Sequence, residues 1–243
     1  MKILITNDDG IQAEGIKRLI KIMKAFGELY IVAPTHNMSA IGHAMTLNRP
    51  LKVDDLEIKN VKRAASLDGT PADCIKYAIS FLKIEPDIVI SGINDEANLG
   101  TDILYSGTVS GAIEANLFNY PAIALSTTAS NFQTVEVYLP KILRELVKNP
   151  LESDTTLNIN FPKDEQPKGI KITTVGISSY ENRYIEEEGG YRLTGPFIDI
   201  DQPEETDVKT VRGGYISITP LKFKLDDDLK RKALERMIKN IDF

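Results

Sequence analysis

The chain has 243 residues, 42% hydrophobic and 26% charged, with a formal net charge of −6. That length and balance fit one large globular domain, or a domain with an elaborated extension, that buries its core without disulfide staples. The acidic balance argues against binding to nucleic-acid polymers or anionic membranes, the single Cys74 excludes an internal disulfide, and no apolar run approaches the ~20 residues of a membrane span. Asp8 and Asp9 come too early for a signal-peptide apolar region, so the expectation is a soluble cytoplasmic protein.

Residues Lys2 to Thr6 read as a short buried strand, with Asn7 to Gly10 as the turn after it. Ile16, Leu19, Ile20 and Met23 recur at helical spacing, and Gly27 marks a stop. Leu29 to Ala33 is a second strand ended by Pro34. A polar loop, Thr35 to His43, follows, and Pro50 to Ala64 has the composition of a hairpin. Thr70-Pro71-Ala72-Asp73 is a helix start: Thr70 caps, Pro71 suits the first turn and Asp73 reaches back. Cys74, Ile75, Ala78, Ile79 and Leu82 make the apolar face of that helix. Asp87 to Ile90 is the next strand, with a loop from Ser91 to Tyr105. Ser106-Gly107-Thr108 opens a helix through about Leu117. Ala122 to Leu125 is again a strand. A helix over Gln133 to Lys148 contains Pro140, which should kink or split it. Thr156 to Phe161 completes the pattern.

Strand–helix alternation of this kind predicts an α/β fold, a Rossmann-like three-layer sandwich on a mostly parallel sheet. The style changes near residue 165. Residues 1–165 read as the core. Residues 166–243 read as a β-rich extension, with strands at Ile170 to Val175 and Tyr215 to Thr219, and a polar helix from Asp227 to Lys239. Such an arm often serves oligomerisation.

The polar clusters fall after successive apolar strands. Asp8 and Asp9 follow the first, His36 to Ser39 the second, and Ser91 to Asn98 a later one. In open parallel sheets that edge is where ligands bind. Two carboxylates about 4 Å apart repel by roughly 4 kcal/mol at an effective dielectric of about 20. Such a pair persists when it is solvated, when one member is protonated, or when a cation sits between. Asp, Ser and Asn offer oxygen only, which suits Mg²⁺ or Mn²⁺ and not structural zinc. Ser106-Gly107-Thr108 adds a helix N-terminus fit for a phosphate. A cation beside an anion cradle implies phosphoryl chemistry. Each piece also has a plainer reading. Asp-Asp-Gly is a common surface turn, Asn94 and Asn98 can satisfy turn backbone, Ser106 can merely cap a helix, and Cys74 is core.

Several segments together resemble the stationary-phase survival protein SurE family. They are Ile5-Thr6-Asn7-Asp8-Asp9-Gly10, Asp68 to Cys74, Ser91-Gly92-Ile93-Asn94, Asn98-Leu99-Gly100, Tyr105 to Val109, Leu157 to Asn160 and Gly214 to Leu221. The resemblance implies a metal-dependent 5′/3′-nucleotidase acting on nucleoside monophosphates, sometimes also on short polyphosphate. It implies one divalent cation per subunit, Mg²⁺ or Mn²⁺, on Asp8, Asp9, Ser39 and Asn94. It also implies a Rossmann-like fold and a homodimer or homotetramer built partly through C-terminal elements. Three positions depart from the family pattern: Met38 before Ser39, Asp95-Glu96 after Asn94, and Tyr191 with no Trp near Gly195-Pro196.

The corresponding expectation is hydrolysis of a phosphate monoester. Asp8 and Asp9 are the catalytic pair, one of them orienting the attacking water. Asn98, Ser106, Gly107 and Thr108 bind the phosphate. A covalent aspartyl-phosphate hydrolase is the enzymatic alternative, but it normally spaces its two Asp by one residue. A receiver-like phosphoacceptor without turnover is the other. It requires an Asp and a Lys on later strands, where this chain has Ser91 and Ser126. Neither dinucleotide-binding nor Walker glycine spacing is met.

Overall fold

Four of the five residues of β1 (Lys2–Thr6) are buried, as in a strand covered on both faces. The computed structural model describes residues 1–224 and 226–238. After β1 come α1 (Glu14–Met23), β2 (Glu28–Pro34), β3 (Val53–Leu56), β4 (Arg63–Leu67) and α2 (Pro71–Lys76). The order continues with β5 (Ile88–Asn94), α3 (Gly107–Leu117), β6 (Ala122–Ser126), α4 (Phe132–Lys148) and β7 (Thr156–Asn160). Last are β8 (Ile170–Ile172), β9 (Arg183–Glu187), β10 (Gly190–Thr194), α5 (Asp207–Arg212), β11 (Ile216–Leu221) and α6 (Asp228–Ile238).

Among the described residues one sheet runs β3-β4-β2-β1-β5-β6-β7-β11-β8. From β4 to β7 every neighbour is parallel. The register pairs Ile5 with Ile31 on one side and with Ile90 on the other. Ile3 and Ile5 pack in a cluster with Leu19, Met23, Leu139 and Leu143, from α1 and α4. Leu4 packs in a second cluster with Cys74, Ile75, Val109 and Ala112, from α2 and α3. Alternation along one strand thus builds both layers. The fold is an α/β, Rossmann-like three-layer sandwich.

The order reverses at β1, with β2 on one side and β5 on the other. That switch point opens a crevice at the carboxyl ends of the strands.

Some elements differ from the sequence reading. α4 passes through Pro140 without splitting. The proline forfeits one hydrogen bond, but Val135, Leu139, Ile142 and Leu143 on both sides of it are anchored in the core. The helix capped by Thr70 leaves α geometry after Lys76 and ends in a π turn, Tyr77–Phe81, so Ile79 and Leu82 are only partly buried. Asn94 belongs to the end of β5, and the β-rich extension also holds a short helix, α5, capped by the Thr206 side chain. Beyond residue 166 the chain returns to the main sheet: β11 lies antiparallel to β7, and β8 pairs with β11. Ile216 and Ile218 join the core, because Ser217 and Thr219, turned the other way, bond the Thr173 hydroxyl. β8 accordingly stops at Ile172. The β9–β10 hairpin forms its own two-stranded sheet, exposed along both strands. Lys239, the end of the expected last helix, lies outside the described residues.

Candidate active site

β1 hands the chain into a turn closed by Asn7, whose side-chain amide donates to the Gly10 carbonyl at 2.9 Å. Gly10 has φ +98°, and a Cβ there would meet the His36 carbonyl carbon at 3.2 Å. Glycine is therefore required on both conformational and steric grounds. The turn aims Asp8 at the N-terminus of α3. One carboxylate oxygen accepts from the Thr108 N–H at 3.0 Å and the other from the Thr108 hydroxyl. Gly107 permits the approach, since a Cβ on it would lie 2.7 Å from the Asp8 Cβ.

Asp8 is 3% exposed. Burial raises its pKa, and the Thr108 bonds oppose that rise only in part. Asp9 is partly buried, its one side-chain bond among the described residues a 3.4 Å contact from the Asn37 amide. Its carboxyl is pushed up to about 7 by burial, then by the charges of Asp8 and Asp95. Among the described residues no salt bridge involves either aspartate.

A cleft of about 180 Å³ brings together Asp8, Ser39, Asn94, Asn98, Tyr105 and Ser106. Ser39 is exposed on the loop after β2, its N–H held by the Asn37 side chain at 2.7 Å. Asn94 donates its amide to the Glu96 carbonyl at 2.6 Å. Ser106 caps α3, its hydroxyl oxygen accepting from the Val109 N–H at 3.1 Å.

Not every expected residue faces the cleft. Asp9 stands beside Asp8 off the lining. Thr108 is fully buried with both donors spent on Asp8, and Gly107 is packed on the same side chain. The helix N-terminus thus serves a carboxylate before it serves any phosphate. Of the departures, Met38 uses its N–H to hold the Asp8 carbonyl at 2.7 Å. Asp95 and Glu96 are exposed, and Asp95 adds to the negative potential at Asp9.

Behind the cleft lies a network of buried amides. The Asn98 N–H donates to the Asn160 side chain at 2.8 Å, and its carbonyl accepts from Asn158 at 2.8 Å and Asn160 at 3.1 Å. Its own amide donates to the Ser126 hydroxyl at 2.8 Å. The signal was two Asn alternating with Leu157 and Ile159 in a strand that reads as buried on both faces. Asp207 likewise ties the later chain to this loop, accepting from the Gly100 N–H at 2.9 Å and the Gly176 N–H at 2.8 Å.

The site's chemistry fits a hard divalent cation. Its donors are oxygens, and two adjoining carboxylates lack a compensating charge. Among the described residues no group of three or more His, Cys, Asp or Glu gathers. A metal here would rest on two carboxylates with the Ser39 and Asn94 oxygens.

Comparisons with known proteins bear on the fold and the family. The model of the Survival protein SurE family matches residues 3–182. The 5′-nucleotidase SurE of Alkaliphilus metalliredigens is 41% identical over 251 aligned positions, covering 98% of both chains. That of Pelotomaculum thermopropionicum is 43% identical, covering 98% of this chain and 96% of its own. The crystal structure of the SurE protein from Aquifex aeolicus superposes with a TM-score of 0.83 at 34% identity, covering 98% of this chain and 99% of that one. With a family model that matches most of the chain, relatives more than 40% identical over nearly its full length, and a shared fold, the chain belongs to the SurE family.

Proposed function

We propose that the protein is a divalent-metal-dependent 5′-nucleotidase that hydrolyses nucleoside monophosphates to nucleoside and phosphate. The carrying observation is the convergence of Asp8, Ser39, Asn94, Asn98 and Ser106 on one cleft at the carboxyl edge of the sheet. The names of the relatives, 5′-nucleotidases, supply the substrate class.

Asp8, Asp9, Ser39 and Asn94 would hold the cation, Mg²⁺ or Mn²⁺. When bound, it supplies Lewis-acid polarisation of a phosphate oxygen and lowers the pKa of water. The chain's own residues do the rest. Ser106 and Asn98 orient the phosphoryl group through hydrogen bonds to its oxygens. Thr108 and Gly107 act on phosphate only indirectly, by fixing Asp8. Both oxygens of Asp8 are engaged by Thr108, so Asp9 is the freer carboxylate to orient and deprotonate the attacking water. Asn158, Asn160 and Ser126 keep Asn98 in place.

A homo-oligomeric assembly and a cytoplasmic location belong to the same proposal. Exposed Tyr184, Tyr191 and Leu193 on the β9–β10 hairpin support the first, and the acidic composition with one buried thiol supports the second. The test is phosphate release by chelated protein with Mg²⁺ or Mn²⁺ restored, on nucleoside monophosphates, short polyphosphate and simple phosphate esters. Metal-restored release from nucleoside monophosphates is expected. Release that survives full chelation refutes the metal assignment, and release from simple esters alone refutes the substrate.

A further inference from the structure

Glu114 lies in the middle of α3 and takes no part in the chemistry above. Its side chain is 3% exposed, yet it carries a charge. Both oxygens are taken: one by the Lys76 ammonium, the other by His43 Nε2 at 2.8 Å. Burial alone would raise this carboxyl, but the bonds to His43 and Lys76 prevail and hold it below the usual glutamate value.

The two partners differ in what they belong to. Lys76 ends α2, which packs along α3, so that ion pair joins two helices already in contact. His43 lies in no helix or strand. It sits on the segment between β2 and β3 that carries Ser39.

That segment has little apolar anchorage around Ser39, since Ser39, Ala40, Ile41, Ala44 and Met45 are all exposed. Polar fastenings hold it instead. The Met38 N–H bonds the Asp8 carbonyl at 2.7 Å on one side of Ser39, and the Gly42 N–H bonds the Tyr105 carbonyl at 2.9 Å on the other. His43 follows at once with its bond to Glu114, and the Thr70 hydroxyl takes the Ala44 carbonyl at 2.7 Å. α3 therefore holds Asp8 through Thr108 at its first turn and the Ser39 segment through Glu114 six residues later, about 9 Å along its axis.

We infer that Glu114 is a positioning residue for the cation site: through His43 it clamps the Ser39 segment onto α3, and so sets how tightly the site takes a divalent cation. This rests on the metal-dependent reading above. Glu114 and His43 touch neither substrate nor cation. Groups that orient ligands from behind are commonly worth 10–100-fold in metal affinity.

The experiment measures Mn²⁺ binding without substrate, by electron paramagnetic resonance of the free ion, with thermal melts of the same samples. His43→Ala is the main variant because His43 is on a surface segment and Glu114 keeps Lys76 as counter-charge. It is expected to weaken Mn²⁺ binding by about tenfold or more, while His43→Gln, which keeps a donor, recovers much of the loss. Lys76→Met removes the ion pair of the same carboxylate with α2. It is expected to lower the melting temperature but to leave Mn²⁺ affinity within about twofold of wild type. Wild-type Mn²⁺ affinity in His43→Ala overturns the clamp, and so does an equal loss in Lys76→Met, which would mark the effect as general weakening of α3. A wild-type protein that binds no Mn²⁺ overturns the metal reading and the clamp with it.

Discussion

The two edges of one sheet are built on opposite terms. At the carboxyl edge Asn7, Asp8, Asn98, Ser126 and Asn160 are buried, and the side-chain oxygens of Asn7 and Ser91 find no partner among the described residues. At the amino edge a roomier cleft of about 410 Å³ is lined mainly by Met1, Met23, Ile88, Leu143, Leu146 and Leu151. Its one carboxylate, Asp87, is occupied by the Lys2 N–H at 2.7 Å. An unpaired buried polar group costs about 1–3 kcal/mol, so the first edge gives up stability that the second supplies. Size of cleft does not identify the chemistry here. The proposed site is the smaller and more polar of the two.

Substitutions at the two edges should therefore fail in opposite ways. Asp8→Asn removes one of the proposed cation ligands and is expected to cost about 10³-fold in kcat/KM, the equivalent of about 4 kcal/mol of Lewis-acid stabilisation. The asparagine still meets both Thr108 groups, so the metal-free melting temperature should hold or rise at neutral pH. A melt well below wild type would place Asp8 in the scaffold and break the contrast. Leu143→Ala at the other edge, where Leu143 is 3% exposed, should cost about 2–5 kcal/mol in urea unfolding. Its kcat/KM at 25 °C should stay within about twofold of wild type. A large activity loss there would mean that the edges communicate.

How much of this the sequence disclosed follows the same division. The parallel sheet was legible because Ile3-Leu4-Ile5 and its successors are apolar on both faces. The Thr70 cap and the polar strand ends were legible because local chemistry specifies them. What escaped depends on contacts far apart in sequence. Nothing near Thr108 announces that its donors are spent on Asp8, one hundred residues away. Ser217 and Thr219 do not announce that their strand returns to β7. Asn160 reads as a polar residue in a strand until the fold sets it against Asn98, 62 residues away. Pro140 does not split its helix for a related reason, since a local helix breaker is outweighed by tertiary anchorage on both sides.

Asn160 also breaks the simple contrast, because it serves both purposes. It bonds the Asn98 N–H and carbonyl at once. Asn160→Ala should cost about 1–3 kcal/mol for the donor left unpaired and about tenfold in kcat/KM through displacement of Asn98. Loss of activity with an unchanged urea midpoint would show that the network shapes the site without supporting the fold.

The smallest effect separates two buried carboxylates held on the same helix. Asp8 meets only hydrogen-bond donors, and burial leaves its pKa raised. Glu114 meets the Lys76 ammonium and the His43 ring, and its pKa is lowered. Linkage gives these groups opposite signs. For Glu114 the unfolded chain takes up the proton first as pH falls. Its contribution is therefore complete above its ordinary value of 4.5 and is lost below it, through the folded value. For Asp8 the folded chain holds the proton longer, so its contribution is complete below 3.8 and is lost as pH rises through the folded value. In chelated protein, Glu114→Gln should flatten the fall of the urea midpoint below about pH 4.5. Asp8→Asn should raise the midpoint on the neutral side and leave the acid limb in place. If both variants shift the same limb, the two carboxylates share one environment, and the division between a compensated charge and one that awaits a cation fails.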